Sequence, residues 1–338
     1  MPLVLFRERL AAILIATPSL TLKPHWTLRP VAIAFEKVKK KLPNSEVTKD
    51  VHVFGAKTHY LAVRANPTEE REWLAREPIC NLLVQHHMAH VGIMHATPPY
   101  EVVRTDQSGT FMLACIAGEG VVLVDGAWKK IRKGQACLLP PFVKNSLKCL
   151  LGKSWNFAWV RYEESRERVP IFTATSPVSG AYDAAPLKAA IEGLHAEASG
   201  VHAASALNHW SELVHQYVLR FAQPHQQDER LWRLWQRVDA ELGKRWTLAD
   251  FAGIACMSEE HLRRLCLKEL GRSPMRHLTF LRLQRARHLL AVTDDKVEVI
   301  SRALGFESVF NFSNTFNQWI GWRPSEFRQG KRNSPGTK

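Results

Sequence analysis

Two kinds of apolar pattern divide this chain. Residues 79–163 contain short apolar runs separated by turn residues: FMLACIAG (111–118), GVVLVDG (120–126), QACLLPP (135–141) and WNFAWVRY (155–162). Gly118, Gly120, Asp125-Gly126, Lys133-Gly134 and Pro140-Pro141 punctuate them. Runs of this kind at roughly ten-residue spacing predict the strands of a small sandwich or barrel. Residues 164–204 are rich in Ala, Ser, Pro and Gly and predict a linker, with one helix near 186–198. Over 205–221 the pattern changes period. Leu207, Trp210, Val214, Tyr217, Val218 and Phe221 recur at three- and four-residue steps, which predicts an amphipathic helix stopped before Pro224. Its stripe must be covered by its own domain or by a partner subunit. From Asp228 onward the pattern is helical throughout. Residues 1–75 are the least legible: 31–42 reads as a short helix broken at Pro43-Asn44-Ser45, and LAAILIA (10–16) as a buried element or an over-long start rather than a signal peptide.

Sliding the C-terminal third against itself by fifty residues exposes an internal repeat. Ser258 falls on Ser308, Leu262 on Phe312, Cys266 on Phe316, Leu270 on Ile320, Gly271 on Gly321 and Pro274 on Pro324. Each copy has a Ser suited to cap a helix N-terminus, apolar residues at four-residue steps, a Gly suited to the left-handed stop and a Pro three residues on. A shorter helix precedes each: TLADFAGIA, opened by Thr247 with Asp250 in capping-box position, and KVEVISRAL, closed by Gly305. Two helices joined by a tight turn, occurring twice in register, predict two helix-turn-helix units. On the second helix of the first unit, Glu260, Arg263, Arg264 and Leu267 face away from the predicted core. The offset places Phe310, Ser313, Asn314 and Asn317 on the equivalent face of the second unit, flanked by Val309 and Asn311. Arg grips guanine, Asn grips adenine, Glu accepts from cytosine N4, and apolar groups meet the thymine methyl. Between the units MRHLTFLRLQRARHLLA (275–291) predicts one rod-like helix, with Arg282, Arg285 and Arg287 available to phosphates.

The charge distribution agrees with that reading. The chain has 338 residues and a formal net charge of +14, of which residues 1–75 carry +5 (12 basic, 7 acidic), residues 76–227 carry +2 (14, 12) and residues 228–338 carry +7 (20, 13). A basic end on a near-neutral middle suits a polyanion-binding unit joined to something else. Apolar content of 46% fits packed domains, and no stretch approaches the ~20 apolar residues of a membrane span. Cys80, Cys115, Cys137, Cys149, Cys256 and Cys266 form no CxxC pair, which predicts buried, reduced thiols and a cytoplasmic protein.

Residues from about Trp246 to Arg328 resemble the DNA-binding domain of the AraC/XylS family of transcription regulators. The resemblance is carried by LADFAGIACMSEEHLRRL, GRSP, RLQRARHLL, ISRALGFESVFNFSNTF and GWRPSEFR. It implies seven helices and base contacts from the outward positions above. The chain departs from the family at Cys266-Leu267, where Phe and a polar residue are usual, at Asn317, where Lys is common, and at Arg323 before Pro324. The segments PPYEVVRTDQSGTFMLACIAGEG, KKIRKGQACLLPPFVKNS and WNFAWVRYEE resemble the cupin-like sensor domain of many members. That implies a small barrel with an effector inside and dimerisation through outer helices. Arg104, Trp155, Trp159 and Arg161 are the candidate clamp for a polar or anionic effector.

No metal or other cofactor is expected. Asn145 stands where metal cupins often carry His, and the cluster His86, His87, His90 and His95 has no accompanying carboxylate in ligand spacing. The expected fold is a two-domain α+β protein, a cupin-like β-barrel followed by an all-α domain with two helix-turn-helix units. Its expected divisions are an extension over 1–75, a sensor over 76–165, a linker and dimerisation helix over 166–227, the DNA-binding domain over 228–330 and a disordered tail over 331–338. The expected function is non-enzymatic: a homodimeric regulator, on the resemblance an activator contacting RNA polymerase, that binds double-stranded promoter DNA in response to a small molecule and has no membrane partner. Two alternatives stay open. One is an enzyme, of cupin or DNA-repair type, carrying a DNA-binding tail. The other is a regulator whose sensor fold only dimerises. Cys80, in PICN, lacks the neighbouring His of a repair cysteine.

Overall fold

The computed structural model describes residues 51–104, 109–164, 171–173, 176–200, 203–223 and 228–332. Its N-terminal part is an antiparallel sheet that curls around one long strand. In chain order the strands are β1 (Val51–Val53), β2 (His59–Arg64), β3 (Met88–Ala96), β4 (Glu101–Arg104), β5 (Phe111–Val124), β6 (Ala127–Arg132), β7 (Gln135–Leu139), β8 (Asn145–Cys149), β9 (Trp155–Tyr162) and β10 (Ser179–Ala181). The first half of β5 pairs with β7 and β9, and its second half with β6 and β8. The β5–β9 register slips between Cys115 and Ala117, just before the change of partner at Gly118 and Glu119, so a single strand belongs to both walls. The main path runs β1-β4-β8-β5-β9-β3-β2, with β10-β7 extending one wall.

Both faces of the β9 wall are buried, which explains why WNFAWVRY reads as nearly continuous apolar sequence. Trp155, Phe157 and Trp159 point between the two walls, where they meet Met94, Tyr100, Phe111 and Leu147. Ala158, Val160 and Tyr162 point outward. There they are covered by α2 (Ala185–Ser199) and α3 (Ala204–Ala222), which pack on each other and on the sheet. A short helix α1 (Glu72–Ala75) inserts Leu74 and Trp73 toward the interior core.

The C-terminal domain is helical: α4 (Glu229–Ala240), α5 (Leu248–Ala255), α6 (Glu259–Leu270), α7 (Pro274–Val292), α8 (Val297–Ala303), α9 (Val309–Ile320) and α10 (Pro324–Arg332). The two-domain α+β architecture therefore stands, with a curled antiparallel sheet followed by a domain of seven helices among the described residues.

Three expectations need correction. The sheet begins at Val51 rather than at 76, because β1 pairs with β4 and β2 with β3. Part of the presumed extension is thus a wall of the sheet. The apolar stripe of α3 is covered within this chain: Leu207, Val214, Val218 and Phe221 are buried against α2 and the sheet, so that stripe is not a free dimer surface. Five cysteines are buried, but Cys256 is exposed, since it occupies the left-handed C-cap of α5. The expected helix at 31–42, the segment 10–16 and the tail beyond Arg332 lie outside the described residues.

Candidate nucleic-acid interface and internal cavity

The two halves of the repeat fold alike, for local reasons. The Ser258 hydroxyl accepts the His261 N–H at 3.2 Å, and the Ser308 hydroxyl accepts the Asn311 N–H at 3.1 Å. Each satisfies one orphan donor at the start of a twelve-residue helix, α6 or α9. Gly271 at φ 66° and Gly321 at φ 90° end them in the left-handed conformation that a side chain would strain. The predicted capping box of α5 is present, with the Thr247 hydroxyl and Asp250 carboxylate each serving the other residue's N–H. Leu262, Cys266 and Leu270 anchor α6 in the core, and Phe312, Phe316 and Ile320 anchor α9.

These anchors leave the predicted reading faces in solvent. Glu260, Arg263 and Arg264 are exposed on α6, as are Phe310, Asn311, Asn314 and Asn317 on α9; Val309 is half-exposed. Phe310 is 73% exposed, too much for a core residue of an isolated domain. On α6 the charges pair along the helix, Glu260 lying 3.8 Å from Arg264 and 3.9 Å from Arg263. Surface pairs of this kind are worth little, so they present no obstacle to transfer of the arginines to bases. Arg285 is exposed on α7, 3.6 Å from Asp239.

Two arginines of the rod are committed elsewhere. Arg282 donates to the carbonyls of Leu242 (3.0 Å) and Lys244 (2.9 Å) and lies over the Phe306 ring, stapling the turn after α4. Arg287 is buried beside the Phe142 ring, at 5.6 Å from its centroid. Neither guanidinium is placed for phosphate in this arrangement, because both complete packing inside the chain.

Sequence reading missed the junction between the domains. The β5–β6 hairpin turns at Asp125-Gly126, both at positive φ, in the two-residue form favoured by an Asp-Gly pair. The Asp125 carboxylate accepts two bonds from Arg272 (2.7 and 3.1 Å), whose side chain is fully buried over the Phe280 ring. The Asp125 carbonyl accepts from Arg276 at 2.7 Å. Nearby, the last carbonyls of both reading helices take donors from the barrel: Lys129 Nζ on Gly271 O (2.7 Å), Val178 N on Leu270 O (3.0 Å) and Lys144 N on Ile320 O (2.9 Å). Asp-Gly is legible as a turn, but its partner across 147 residues is not.

Inside the barrel a small cavity is lined by His52, Trp73, His90, Tyr100, Arg104 and Trp159 among others. Of the four predicted effector residues, Arg104 and Trp159 line it. Trp155 is buried further along the core against Phe157, and Arg161 is half-exposed on the same strand. His52 and Trp73 were missed because they precede the expected start of the domain. Burial, then the charges of Arg104, Arg71 and Arg161, lowers His52 to about 3. Burial first, with Arg71 and Arg161 next, also holds His90 well below the usual histidine value. The predicted histidine cluster disperses. His86 meets Glu212 of α3 at 3.1 Å, His90 faces the cavity, and His95 stacks on His59. Among the described residues no group of three or more His, Cys, Asp or Glu is arranged to hold a metal.

Comparison with known proteins concentrates on the same C-terminal region. A helix-turn-helix domain model matches residues 251–330. The HTH-type transcriptional activator RhaS of Escherichia fergusonii is 41% identical over 75 residues, 22% of this chain and 27% of that protein. The HTH-type transcriptional regulator YidL of Escherichia coli K12 is 30% identical over 118 residues, 34% of this chain and 40% of that one. A solved transcriptional regulator from Chromobacterium violaceum, with an AraC-type DNA-binding domain, is 31% identical over 32% of this chain and 96% of its own, at a TM-score of 0.30. The chain thus spans between about a quarter and two fifths of the curated relatives it matches. No helix among the described residues is long and apolar enough to cross a membrane. With the capped helix pairs repeated in register and the sequence match falling on both, residues 251–330 form a helix-turn-helix domain similar to those of these transcription regulators.

Proposed function

We propose that this chain is a sequence-specific, DNA-binding transcription regulator whose barrel senses a small molecule. One observation carries the reading: α6 and α9 share caps, anchors and length, each turns its unanchored face to solvent, and α7 runs between them in the chain. A 19-residue rod is ~28 Å long at 1.5 Å per residue. That approaches the ~34 Å between successive major-groove segments on one face of DNA, so both heads can read one site.

In this reading Arg263, Arg264, Asn314 and Asn317 contact base edges, with Glu260, Val309, Phe310 and Asn311 beside them, and Arg285 contacts phosphate. The protein is non-enzymatic, acts in the cytoplasm as a homodimer, and activates by contacting RNA polymerase. The name of the relative RhaS, a transcriptional activator, supports that sign of regulation.

The test is selection of bound sequences from a random duplex library with the full-length protein at defined salt. Two enriched motifs about one helical turn apart are expected. Enrichment of a single motif would make α9 a backbone anchor, and no enrichment would remove the DNA-reading assignment.

A further inference from the structure

We propose that the two reading heads divide the bases between them, α6 taking a half-motif with G·C pairs and α9 a half-motif of A·T pairs. The proposal rests on the DNA-reading function above and names the composition of the DNA that it reads. The fifty-residue offset matches the outward positions of the two helices one by one. Glu260 corresponds to Phe310, Arg263 to Ser313 and Arg264 to Asn314. At each position a charged side chain on α6 gives way to an uncharged one on α9, although caps, anchors and length stay the same.

The first two turns of α6 expose Glu260, Arg263 and Arg264, with the Glu260 carboxylate 3.9 Å from Arg263 and 3.8 Å from Arg264. In the major groove guanine offers two acceptors, N7 and O6, and cytosine a donor at N4. Arginine can only donate and an ionised carboxylate can only accept, so the two find their complements on the two sides of a G·C pair. Adenine would set its N6 donor against the arginine donors.

The other head differs in kind. The residues of α9, VFNFSNTFNQWI, include no Asp, Glu, Lys or Arg. It therefore lacks the cations that supply most of the affinity for phosphate, and its exposed face suits bases better than backbone. The exposed Asn314 amide holds both a donor and an acceptor, which match N7 and N6 of adenine. Against guanine its carbonyl would meet a second acceptor. Asn317 presents another amide one turn further on. Phe310 stands on the first turn of α9, where α6 has Glu260, and is 73% exposed. The N-terminal residues of such helices meet base edges, and a phenyl ring has only apolar surface to offer there. Its complement in the major groove is the thymine methyl group.

The experiment selects sites from a random duplex library with the full-length wild type and with a double variant, Phe310→Glu together with Asn314→Arg. Affinities of wild type and Phe310→Ala for the wild-type site and its base analogues follow. All the substituted side chains are exposed, so the core is untouched. Wild type should enrich one half-motif with G·C pairs and one of A·T pairs. Uracil in place of thymine in the A·T half removes only methyl groups and should weaken wild type by about fourfold for each methyl contacted. Phe310→Ala should be indifferent to that change. The 7-deaza analogue of guanine in the other half, which lacks the N7 acceptor, should weaken both proteins alike. The double variant, which gives α9 the Glu and Arg of α6, should exchange its A·T half for a G·C one. Two half-motifs of like composition, a single half-motif, uracil tolerated by wild type, or a double variant that keeps its A·T half would overturn the proposal while leaving the DNA-reading function in place. No enrichment at all would remove both.

Discussion

Replacing Asp125 by Asn should loosen the junction between barrel and reading domain. Asn is the informative substitution because residue 125 sits at φ 54°, a conformation that Asn tolerates and Ala does not, so backbone strain is held constant. The side chain of Arg272 is fully buried and Asp125 nearly so, and the two share bonds of 2.7 and 3.1 Å. Removing one charge of such a pair leaves the other uncompensated, at a cost of ~3–5 kcal/mol. Asn keeps one acceptor, which places the expected loss near ~3 kcal/mol. The domains can limit that loss by separating, so that Arg272 regains water. The assay is therefore twofold: urea unfolding for the energy and small-angle scattering for separation, on wild type, Asp125→Asn, Arg272→Met and the double variant. The double variant should be less destabilised than the sum of the singles by ~2 kcal/mol or more. A coupling below ~0.5 kcal/mol, with scattering unchanged, would refute the idea that this pair holds the junction.

Other expectations concern DNA and pH. Arg264→Ala should cost ~1–3 kcal/mol on the selected site and relax discrimination at one base; equal loss on random DNA would make it a phosphate contact. Arg285→Ala should weaken all sequences alike and lower the slope of affinity against salt by about one, as filter binding at several salt concentrations would report. Arg282→Ala should lower the melting temperature through loss of its bonds to Leu242 and Lys244, while the correctly folded fraction binds random DNA as wild type does; a selective DNA defect would restore Arg282 as a contact. Burial raises the buried Glu164 carboxyl to about 7, against the bonds donated by Thr110. Since the folded value exceeds the unfolded one, the proton's stabilisation is full below pH ~4.3 and is lost as pH rises through 7. Chemical unfolding of Glu164→Gln should show a shallower fall between pH 5 and 8, and an unchanged slope would discard the assignment.

The repeat was legible because its signals are local. Ser258, Gly271, Ser308 and Gly321 do in the structure what their chemistry dictates within one helical turn. β7 and β9 were legible for the same reason, as turn residues bracket them. β5 reads as two runs parted at Gly118 and Gly120 but is one continuous strand, and β6 and β8 gave no apolar run. Pairing over long distance was not. Nothing in HYLAVR announces that β2 will lie beside β3, with its last three residues buried. The α3 stripe declared that something must cover it, and the choice between α2 and a second subunit is a tertiary fact. Arg282 and Arg287 look like their neighbour Arg285 in sequence; what separates them is the turn after α4 and the ring of Phe142, both supplied from elsewhere in the fold.

The bonds from the barrel to the carbonyls of Leu270, Gly271 and Ile320 bear on which promoters the protein can tolerate. Within the helical domain alone, the two heads are held together through α7, with α8 and α10 packed on it. Braced also from the barrel at their C-terminal tips, they hold one mutual distance and angle. A fragment beginning at Asp228 would keep its vocabulary of bases but lose that rigid gauge, accepting half-motifs whose separation the full-length protein rejects. Insertion or deletion of a base pair between the two motifs should therefore penalise the intact chain more heavily than the fragment.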